Sequence, residues 1–158
     1  LFGSRLDREG TDITLVATSI MVLESRRAAD YLAQFGISVE IIDLYSTSHF
    51  DQEMIIRSVR KTGRLVVADT SYVQYGVSAE ISRIVFEEAG LDMRSSPSFL
   101  GMSFNPTPTA KSLEGFHYAE FQDLVNQIAA ATDPSLVERF NSDRVSMVDY
   151  YKEFRGPF

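Results

Sequence analysis

The sequence predicts a three-layer α/β domain in which a mostly parallel sheet is covered by helices on both faces. Short apolar, β-branched segments alternate along the chain with amphipathic segments of helical periodicity. The helical segments are followed by Gly36, Gly63 and Gly90, and glycine readily ends a helix. Strands that alternate with helices at this spacing pair in parallel through right-handed crossovers, which places helices on both sides of the sheet.

Four segments are predicted as strands, because each is a short run rich in apolar and β-branched residues. Runs of this kind are typical of strands that are buried on both faces. The predicted strands are residues 12–18 (DITLVAT), 38–44 (SVEIIDL), 64–70 (RLVVADT) and, with a weaker pattern, 98–102 (SFLGM).

Helices are predicted after each of the first three strands and again before residue 131. Ser19 and Asp51 are expected to cap the first two, because their side-chain oxygens can accept hydrogen bonds from the first-turn amides. Apolar residues recur at helical spacing in all four segments. These are Met21, Ala28, Leu32 and Phe35; Ile55 and Val59; Ile81, Val85 and Phe86; and Phe121, Leu124, Val125 and Ile128.

A stiff loop is predicted between the fourth strand and the last of these helices. Pro106 and Pro108 each fix their own φ near −65° and push the preceding residue toward extended geometry. Residues 105–109 should therefore be rigid and non-helical. A loop of this kind either positions a group or braces against a neighbour.

The chain divides into an α/β domain at residues 1–132 and a C-terminal extension at residues 133–158. Pro134 can start a short helix, and aromatic residues follow it at helical spacing, so the extension is predicted to be helical. It packs either on its own domain or on a partner. The aromatic residues that would form an interface, or alternatively close the core, are Phe116, Tyr118, Tyr150, Tyr151 and Phe154.

Composition narrows the classes of function. The 158 residues are 44% hydrophobic and 23% charged, as expected for a globular domain, and contain no apolar run long enough for a membrane span. The net charge of −7 disfavours nucleic acid as a partner. The absence of cysteine fits a reducing compartment, so a cytoplasmic location is expected. The first residues lack both an initiating methionine and a signal-peptide pattern, so we expect a piece of a longer protein.

The ends of the predicted strands carry no motif for cofactor binding. None of the turns has the G-x-G-x-x-G or G-x-x-x-x-G-K-[ST] pattern that brings backbone amides to phosphates. The hydroxyl-rich turn ATSIM could hold a phosphate at a helix N-terminus, but the same residues suit an ordinary helix cap. With only two histidines, a histidine-rich metal site is not expected.

Two candidate catalytic groups remain, each with a structural alternative. Ser46 or Ser48 could act with His49 and Asp51, although no strained nucleophile motif surrounds them and turn formation explains the segment better. Asp43 and Asp69 follow strands that we expect to be adjacent, where two carboxylates could raise one another's pKa. Helix capping or pairing with arginine is the alternative for these aspartates.

Several stretches together resemble one enzyme family. They are REGTDITLVATSIMV, VEIIDLYSTSHFD, SVRKTGRLVVADTS, YGVSAEI and NPTPTAKSLEGF, within residues 5–130. In this order they resemble the carboxy-terminal domain of transketolase-like thiamine-diphosphate enzymes. The resemblance is to the β subunit of the decarboxylating component of 2-oxoacid dehydrogenase complexes in particular.

The resemblance implies a five-stranded sheet whose extra, antiparallel edge strand comes from residues 4–10. It implies that thiamine diphosphate and Mg²⁺ are bound by other domains of the parent enzyme, so no catalytic, cofactor-binding or metal residue is expected here. The loop after the last strand is then a brace against other domains or subunits. The expected contact residues are Asn105, Pro106, Thr107, Pro108, Phe116, His117 and Tyr118.

The sequence leaves three functions open. In the first, the chain serves assembly in a parent homodimer or αβ heterotetramer, with a lipoyl acyltransferase as a further partner, and is inactive alone. In the second, it is a stand-alone flavodoxin-like module that binds a nucleotide or flavin at its strand ends. In the third, it is a docking domain that uses its aromatic tail.

Overall fold

The computed structural model describes residues 3–102, 104–107, 109 and 118–142, and within them five strands form one sheet with helices on both faces. The elements are β1 Ser4–Arg8, β2 Ile13–Thr18, α1 Ile20–Ala33, β3 Val39–Leu44, α2 Gln52–Thr62, β4 Leu65–Tyr72, α3 Val77–Ala89, a 3₁₀ turn at Gly90–Asp92, β5 Ser98–Met102, α4 Phe121–Thr132 and α5 Ser135–Ser142. The four predicted strands and four predicted helices are all present.

The strands lie in the order β1-β3-β2-β4-β5. Strand β1 runs antiparallel to β3, and the other pairings are parallel. The expected antiparallel edge strand is therefore confirmed. Strand β2 lies at the centre, where all six of its residues are buried. The carboxyl ends of β2, β3 and β4 lie side by side at one edge of the sheet.

Two hydrophobic clusters cover the two faces of the sheet. One cluster contains residues of α1, α4 and α5, and the other contains residues of α2 and α3. Successive residues of a strand point to opposite faces, so Ile41 belongs to the first cluster and Ile42 to the second. This arrangement confirms the three-layer architecture.

Helix ends agree with the sequence in part. The Asp51 carboxylate accepts a hydrogen bond from the amide of Met54 at 3.0 Å, and Gly63 ends α2 with a φ of 70°. Gly36 also has a left-handed φ, of 79°. The cap expected at Ser19 was wrong, because the Ser19 side chain makes no capping hydrogen bond to α1. Among the described residues, no helix is both long and apolar enough to cross a membrane.

The first part of the C-terminal extension packs on the domain. Phe140 of α5 is completely buried, and its ring lies 5.6 Å from that of Tyr31 and 5.0 Å from that of Phe35. The described residues end at Ser142. The predictions for Tyr150, Tyr151 and Phe154 therefore lie outside the described part of the chain.

Candidate functional site: the strand-end cleft and the proline loop

An open cleft of about 770 Å³ lies over the carboxyl ends of the central strands. This is the edge at which open α/β sheets bind their ligands. Most of its polar lining consists of hydroxyl groups, with two arginines and two aspartates. The lining residues are Arg5, Thr18, Ser19, Val22, Leu23, Arg26, Asp43, Leu44, Tyr45, Ser46, Thr47, Ser48, Asp69 and Thr70.

The floor of the cleft is the junction between β2 and α1. Ser19 lies at this junction with φ 52° and ψ −131°, a backbone conformation that residues other than glycine rarely adopt. The Ser19 side chain is exposed on the cleft. An N-cap residue normally has extended backbone angles, whereas Ser19 has a positive φ, and its hydroxyl makes no capping hydrogen bond to α1.

Asp69, at the far side of this junction, is only 9% exposed. Its carboxylate accepts hydrogen bonds from the hydroxyls of Thr18 and Ser71 and from the amide of Thr70, the last at 2.8 Å. Neutral donors thus surround this carboxylate. Through these hydrogen bonds the Asp69 carboxylate holds the ends of β2 and β4 together.

Asp43 does not meet Asp69, so the candidate carboxylate pair does not form. Asp43 lies in β3 and Asp69 lies in β4, and β2 runs between these two strands. Ala17 of β2 is the register partner of Asp43 on one side and of Ala68, the residue before Asp69, on the other. The central strand therefore separates the two carboxylates. Asp43 instead accepts a hydrogen bond from Nε of Arg5 at 3.1 Å, which is the arginine pairing given as the alternative.

A second ion pair completes the charged rim of the cleft. Nε and Nη2 of Arg26 donate to the two carboxylate oxygens of Asp7 at 2.6 and 2.5 Å, and Arg5 lies 3.5 Å from the same carboxylate. These hydrogen bonds from Arg26 lower the pKa of Asp7. Arg5 and Arg26 are therefore already matched by Asp43 and Asp7, so the cleft carries little uncompensated positive charge for an anionic ligand.

The serine–histidine–aspartate group does not assemble as a catalytic site. The Asp51 carboxylate is used to cap α2, and the Asp51 amide donates to the hydroxyl of Ser4 at 2.9 Å. Ser46 and Ser48 approach each other with their hydroxyl oxygens 3.5 Å apart. The structure supports the interpretation of this segment as a turn before a capped helix.

No acid–base pair or metal centre is built from the described residues. Within residues 3–102, 104–107, 109 and 118–142, no three histidine, cysteine, aspartate or glutamate side chains form a group that could hold a metal ion. The cleft carboxylates are held by arginines and hydroxyls instead. The chemistry this arrangement supports is hydrogen bonding and structural pairing.

The proline loop leaves β5 at the same edge of the sheet. Asn105, Pro106 and Thr107 are exposed and lie in neither helix nor strand, as predicted. Tyr118 is also exposed, whereas Pro108, Phe116 and His117 lie outside the described residues. The expected contact residues that can be described are thus on the surface, and whether they touch another domain stays a prediction.

Sequence reasoning missed three aromatic residues, of which Tyr72 and Phe104 lie beside this loop and Tyr75 lies in the turn after β4. The rings of Tyr72 and Phe104 pack edge to face with centroids 5.5 Å apart, and the Tyr72 hydroxyl donates to the carbonyl of Asn105 at 3.3 Å. Phe104 is 65% exposed and Tyr75 is 94% exposed. The one available signal was that both aromatic segments lie in stretches without charged residues.

Comparisons with known proteins identify the family. The model of the transketolase C-terminal domain matches residues 3–120. The chain is 38% identical over 122 residues to pyruvate dehydrogenase E1 component subunit beta-1, mitochondrial, of Arabidopsis thaliana, covering 77% of this chain and 34% of that protein. It is 36% identical over 126 residues to the E1 component subunit beta of Acholeplasma laidlawii, covering 79% and 38%.

A solved structure shows the same fold. It is described as a split gene transketolase, inactive beta4 tetramer, and it superposes with a TM-score of 0.69 at 27% identity, covering 81% of this chain and 41% of that one. The chain spans about a third of the length of the curated relatives it matches. On these matches, the chain belongs to the transketolase C-terminal domain family, in the form found in pyruvate dehydrogenase E1 beta subunits.

Proposed function

We propose that the chain is the C-terminal domain of a thiamine-diphosphate-dependent, 2-oxoacid dehydrogenase-like β chain. It serves subunit assembly and partner docking and does not itself hold the catalytic site. The match to pyruvate dehydrogenase E1 beta subunits, of which the chain spans about a third, supports this proposal. In the parent enzyme, thiamine diphosphate and Mg²⁺ are bound by other domains.

The observation that carries the proposal is the pairing of every charged group on the cleft. Mg²⁺ with a diphosphate needs oxygen ligands for the cation and donors for the phosphates. Asp43 is matched by Arg5, Arg26 by Asp7, and Asp69 by hydroxyl and amide donors. The charged residues of the cleft therefore do not fit this cofactor, and we assign them no step of the reaction.

The proline loop supports the assembly role. A backbone stiffened by proline loses little conformational entropy on binding, so an exposed loop of this kind is suited to a fixed contact. We assign Asn105, Pro106, Thr107, Pro108, Phe116, His117 and Tyr118 to contacts with other domains or subunits of the same enzyme. The parent is a homodimer or an αβ heterotetramer in this proposal, with a lipoyl acyltransferase as a further partner.

We also propose that the chain is located in the cytoplasm. Relatives from Arabidopsis thaliana and Pisum sativum are described as mitochondrial, and those from Acholeplasma laidlawii and Leifsonia xyli carry no such description. Fractionation of the native organism, followed by detection of the chain in each fraction, distinguishes the two locations.

A second candidate function is favoured by the position of the cleft. The cleft spans the ends of β3, β2 and β4. It therefore includes the point between β2 and β4 where the chain leaves the sheet in opposite directions, and such switch points bind nucleotides and flavins in flavodoxin-like folds. The residues of the β2–α1 junction weigh against it, since Thr18 and Ser19 replace a glycine-rich phosphate loop.

A thermal-shift panel separates the two functions. The purified chain is heated alone and with thiamine diphosphate and Mg²⁺, FMN, FAD, NAD⁺ or ATP, and its visible absorbance is recorded first. The assembly role predicts colourless protein and no ligand-dependent rise in melting temperature. A rise with FMN or a nucleotide that disappears in S19W, a substitution that fills the cleft floor, would establish the second function instead.

A further inference from the structure

We propose that an apolar pocket at the amino ends of β4 and β5 binds a small neutral aromatic molecule with one hydrogen-bond donor, such as a phenol or an indole. The pocket has a volume of about 230 Å³ and lies at the edge of the sheet opposite the cleft. Its apolar walls come from Leu65 of β4, from Val85 and Phe86 of α3, and from Met93 and Pro97 before β5. The inference goes beyond the proposed function and does not depend on it.

Two sides of the pocket are fixed to the end of α2. The backbone amide of Arg94 donates to the carbonyl oxygen of Gly63 at 2.7 Å. The guanidinium of Arg60 donates to the carbonyl oxygen of Glu88 at 2.6 Å. The first bond holds the segment before β5, and the second holds the last turn of α3. The space between them is therefore preorganised, which lowers the cost of binding a ligand.

The hydroxyl of Ser95 supplies the polar contact. Ser95 lines the pocket, and its hydroxyl oxygen is buried without a hydrogen-bond partner among the described residues. A buried hydroxyl in this state is unfavourable, and native proteins contain few of them. Turning the side chain to another staggered rotamer breaks none of the described hydrogen bonds. The oxygen can therefore accept an N–H or O–H group that a ligand brings into the pocket.

The size of the pocket and its walls favour one or two aromatic rings. An engineered apolar cavity of about 150 Å³ holds benzene, so about 230 Å³ accommodates a phenol or an indole. Drug-sized ligands fill pockets of about 300–1,000 Å³ and are too large. The thioether of Met93 and the ring of Phe86 both line the space, and each makes favourable contacts with aromatic rings.

The lining also selects a neutral ligand. Among the described residues that form the pocket, none has a charged side chain. A carboxylate or an ammonium group that entered would lose its hydration without gaining an opposite charge, which is costly. We therefore expect indole to bind and indole-3-acetate to bind much more weakly.

Titration of the ¹⁵N-labelled chain with indole, followed by NMR, tests the proposal. We expect saturable shifts centred on residues 85–97 and a Kd of about 1 mM or lower, which is reasonable for so small a ligand. Indene has the same fused rings without the N–H group and should bind about threefold or more weakly. S95A should weaken indole to the level of indene and leave indene unchanged.

Two tryptophan variants of α3 locate the site. S82W places a bulky ring in the pocket and should abolish binding of both ligands, because Ser82 lines it. A79W puts the same ring at an exposed position of the same helix outside the pocket and should leave both affinities unchanged. The melting temperature of S95A should not fall, because the variant removes a hydroxyl without a described partner, which separates lost binding from unfolding.

The proposal is overturned if shifts do not saturate by about 10 mM indole, or if they centre on the cleft at the opposite edge. Equal affinities of indole and indene, or an indole affinity that S95A or S82W leaves intact, would also overturn it. None of these results bears on the proposed function, which is tested by titration with thiamine diphosphate. Cofactor binding by the chain would contradict that function and leave the indole result as measured.

Discussion

Thr18 and Asp69, at the ends of two neighbouring parallel strands, are joined by a hydrogen bond from the threonine hydroxyl to the carboxylate. Ser71 and the amide of Thr70 donate to the same carboxylate. The most buried acidic group on the cleft therefore stabilises the sheet edge. At the edge of the sheet where this kind of fold usually binds ligands, a carboxylate thus holds two strands together.

Removing the hydroxyl of Thr18 should destabilise the fold modestly. T18V preserves the shape of the side chain but leaves the Asp69 carboxylate short of one donor, which we expect to lower the free energy of unfolding by about 1–3 kcal/mol. Urea denaturation followed by circular dichroism measures the change. S48A, which removes the hydroxyl of an exposed residue in the same cleft, should change it by less than about 0.5 kcal/mol. Equal effects of the two variants would contradict a structural role for Asp69.

Glu40 makes stability depend on pH in the acidic range. Burial raises the pKa of this 3% exposed carboxyl, but hydrogen bonds from Lys61, Ser58 and the amide of Gly10 outweigh it, so the pKa is lowered overall. A lowered folded-state pKa stabilises the fold above the ordinary glutamate value of about 4.3. That stabilisation is lost as the pH falls through the folded-state value.

K61M should therefore move acid unfolding to higher pH. Without the ammonium group, the Glu40 carboxylate stays buried with fewer donors, so its pKa rises and the fold loses about 1–3 kcal/mol near neutral pH. Melting temperatures measured from about pH 3 to about pH 7, a range that includes the ordinary glutamate pKa, give the profile of stability against pH. R83M removes the pairs of Arg83 with Glu80 and Glu87 and is the control. Because these groups are exposed to solvent, it should shift the profile much less than K61M does. A K61M profile that overlays the wild type would refute the assignment.

Phe140 should behave as a core residue although it lies beyond the family match at residues 3–120. F140A removes a fully buried ring from contact with Tyr31 and Phe35, and we expect a loss of about 3–5 kcal/mol in unfolding free energy. F86A makes the same chemical change at a side chain that is 81% exposed and should alter stability by about 0.5 kcal/mol or less. If F140A is as mild as F86A, α5 does not belong to the domain core.

The two expected helix caps should differ when they are tested. D51A removes the acceptor for the Met54 amide and should cost about 0.5–2 kcal/mol, the usual range for losing an N-cap. S19A removes a hydroxyl that makes no capping bond, so its unfolding free energy should match the wild type within about 0.5 kcal/mol. Chemical denaturation of the pair measures both. A large loss in S19A alone would reverse the assignment of the caps.

The layers of the fold could be predicted because they follow from local periodicity. Ile41 and Ile42 face opposite helices as the alternation of a strand requires, and Asp51 precedes its helix as a capping residue should. The order of the strands could not be predicted in this way. Asp43 and Asp69 end strands on either side of β2, because the crossovers place the first parallel strand between the second and the third.

The charge pairings in the cleft could not be predicted from the sequence. Arg5 and Asp43 are 38 residues apart in the chain, and no local pattern indicates that antiparallel pairing of β1 with β3 brings them together. The backbone of Ser19 escaped prediction for a related reason. Serine is a normal capping residue, and only the tertiary path from β2 into α1 imposes its positive φ.

Isothermal titration of the chain with thiamine diphosphate in the presence of Mg²⁺ tests the central claim most directly. The account predicts no heat beyond that of dilution, because Asp43 and Asp69 of the cleft are already held by Arg5 and by hydroxyl and amide donors, and Arg26 is held by Asp7. Titration of Mg²⁺ alone is the control for weak cation binding. A saturating isotherm with a Kd of about 1 μM, equivalent to about −8 kcal/mol, would contradict the claim that this domain leaves the cofactor to others.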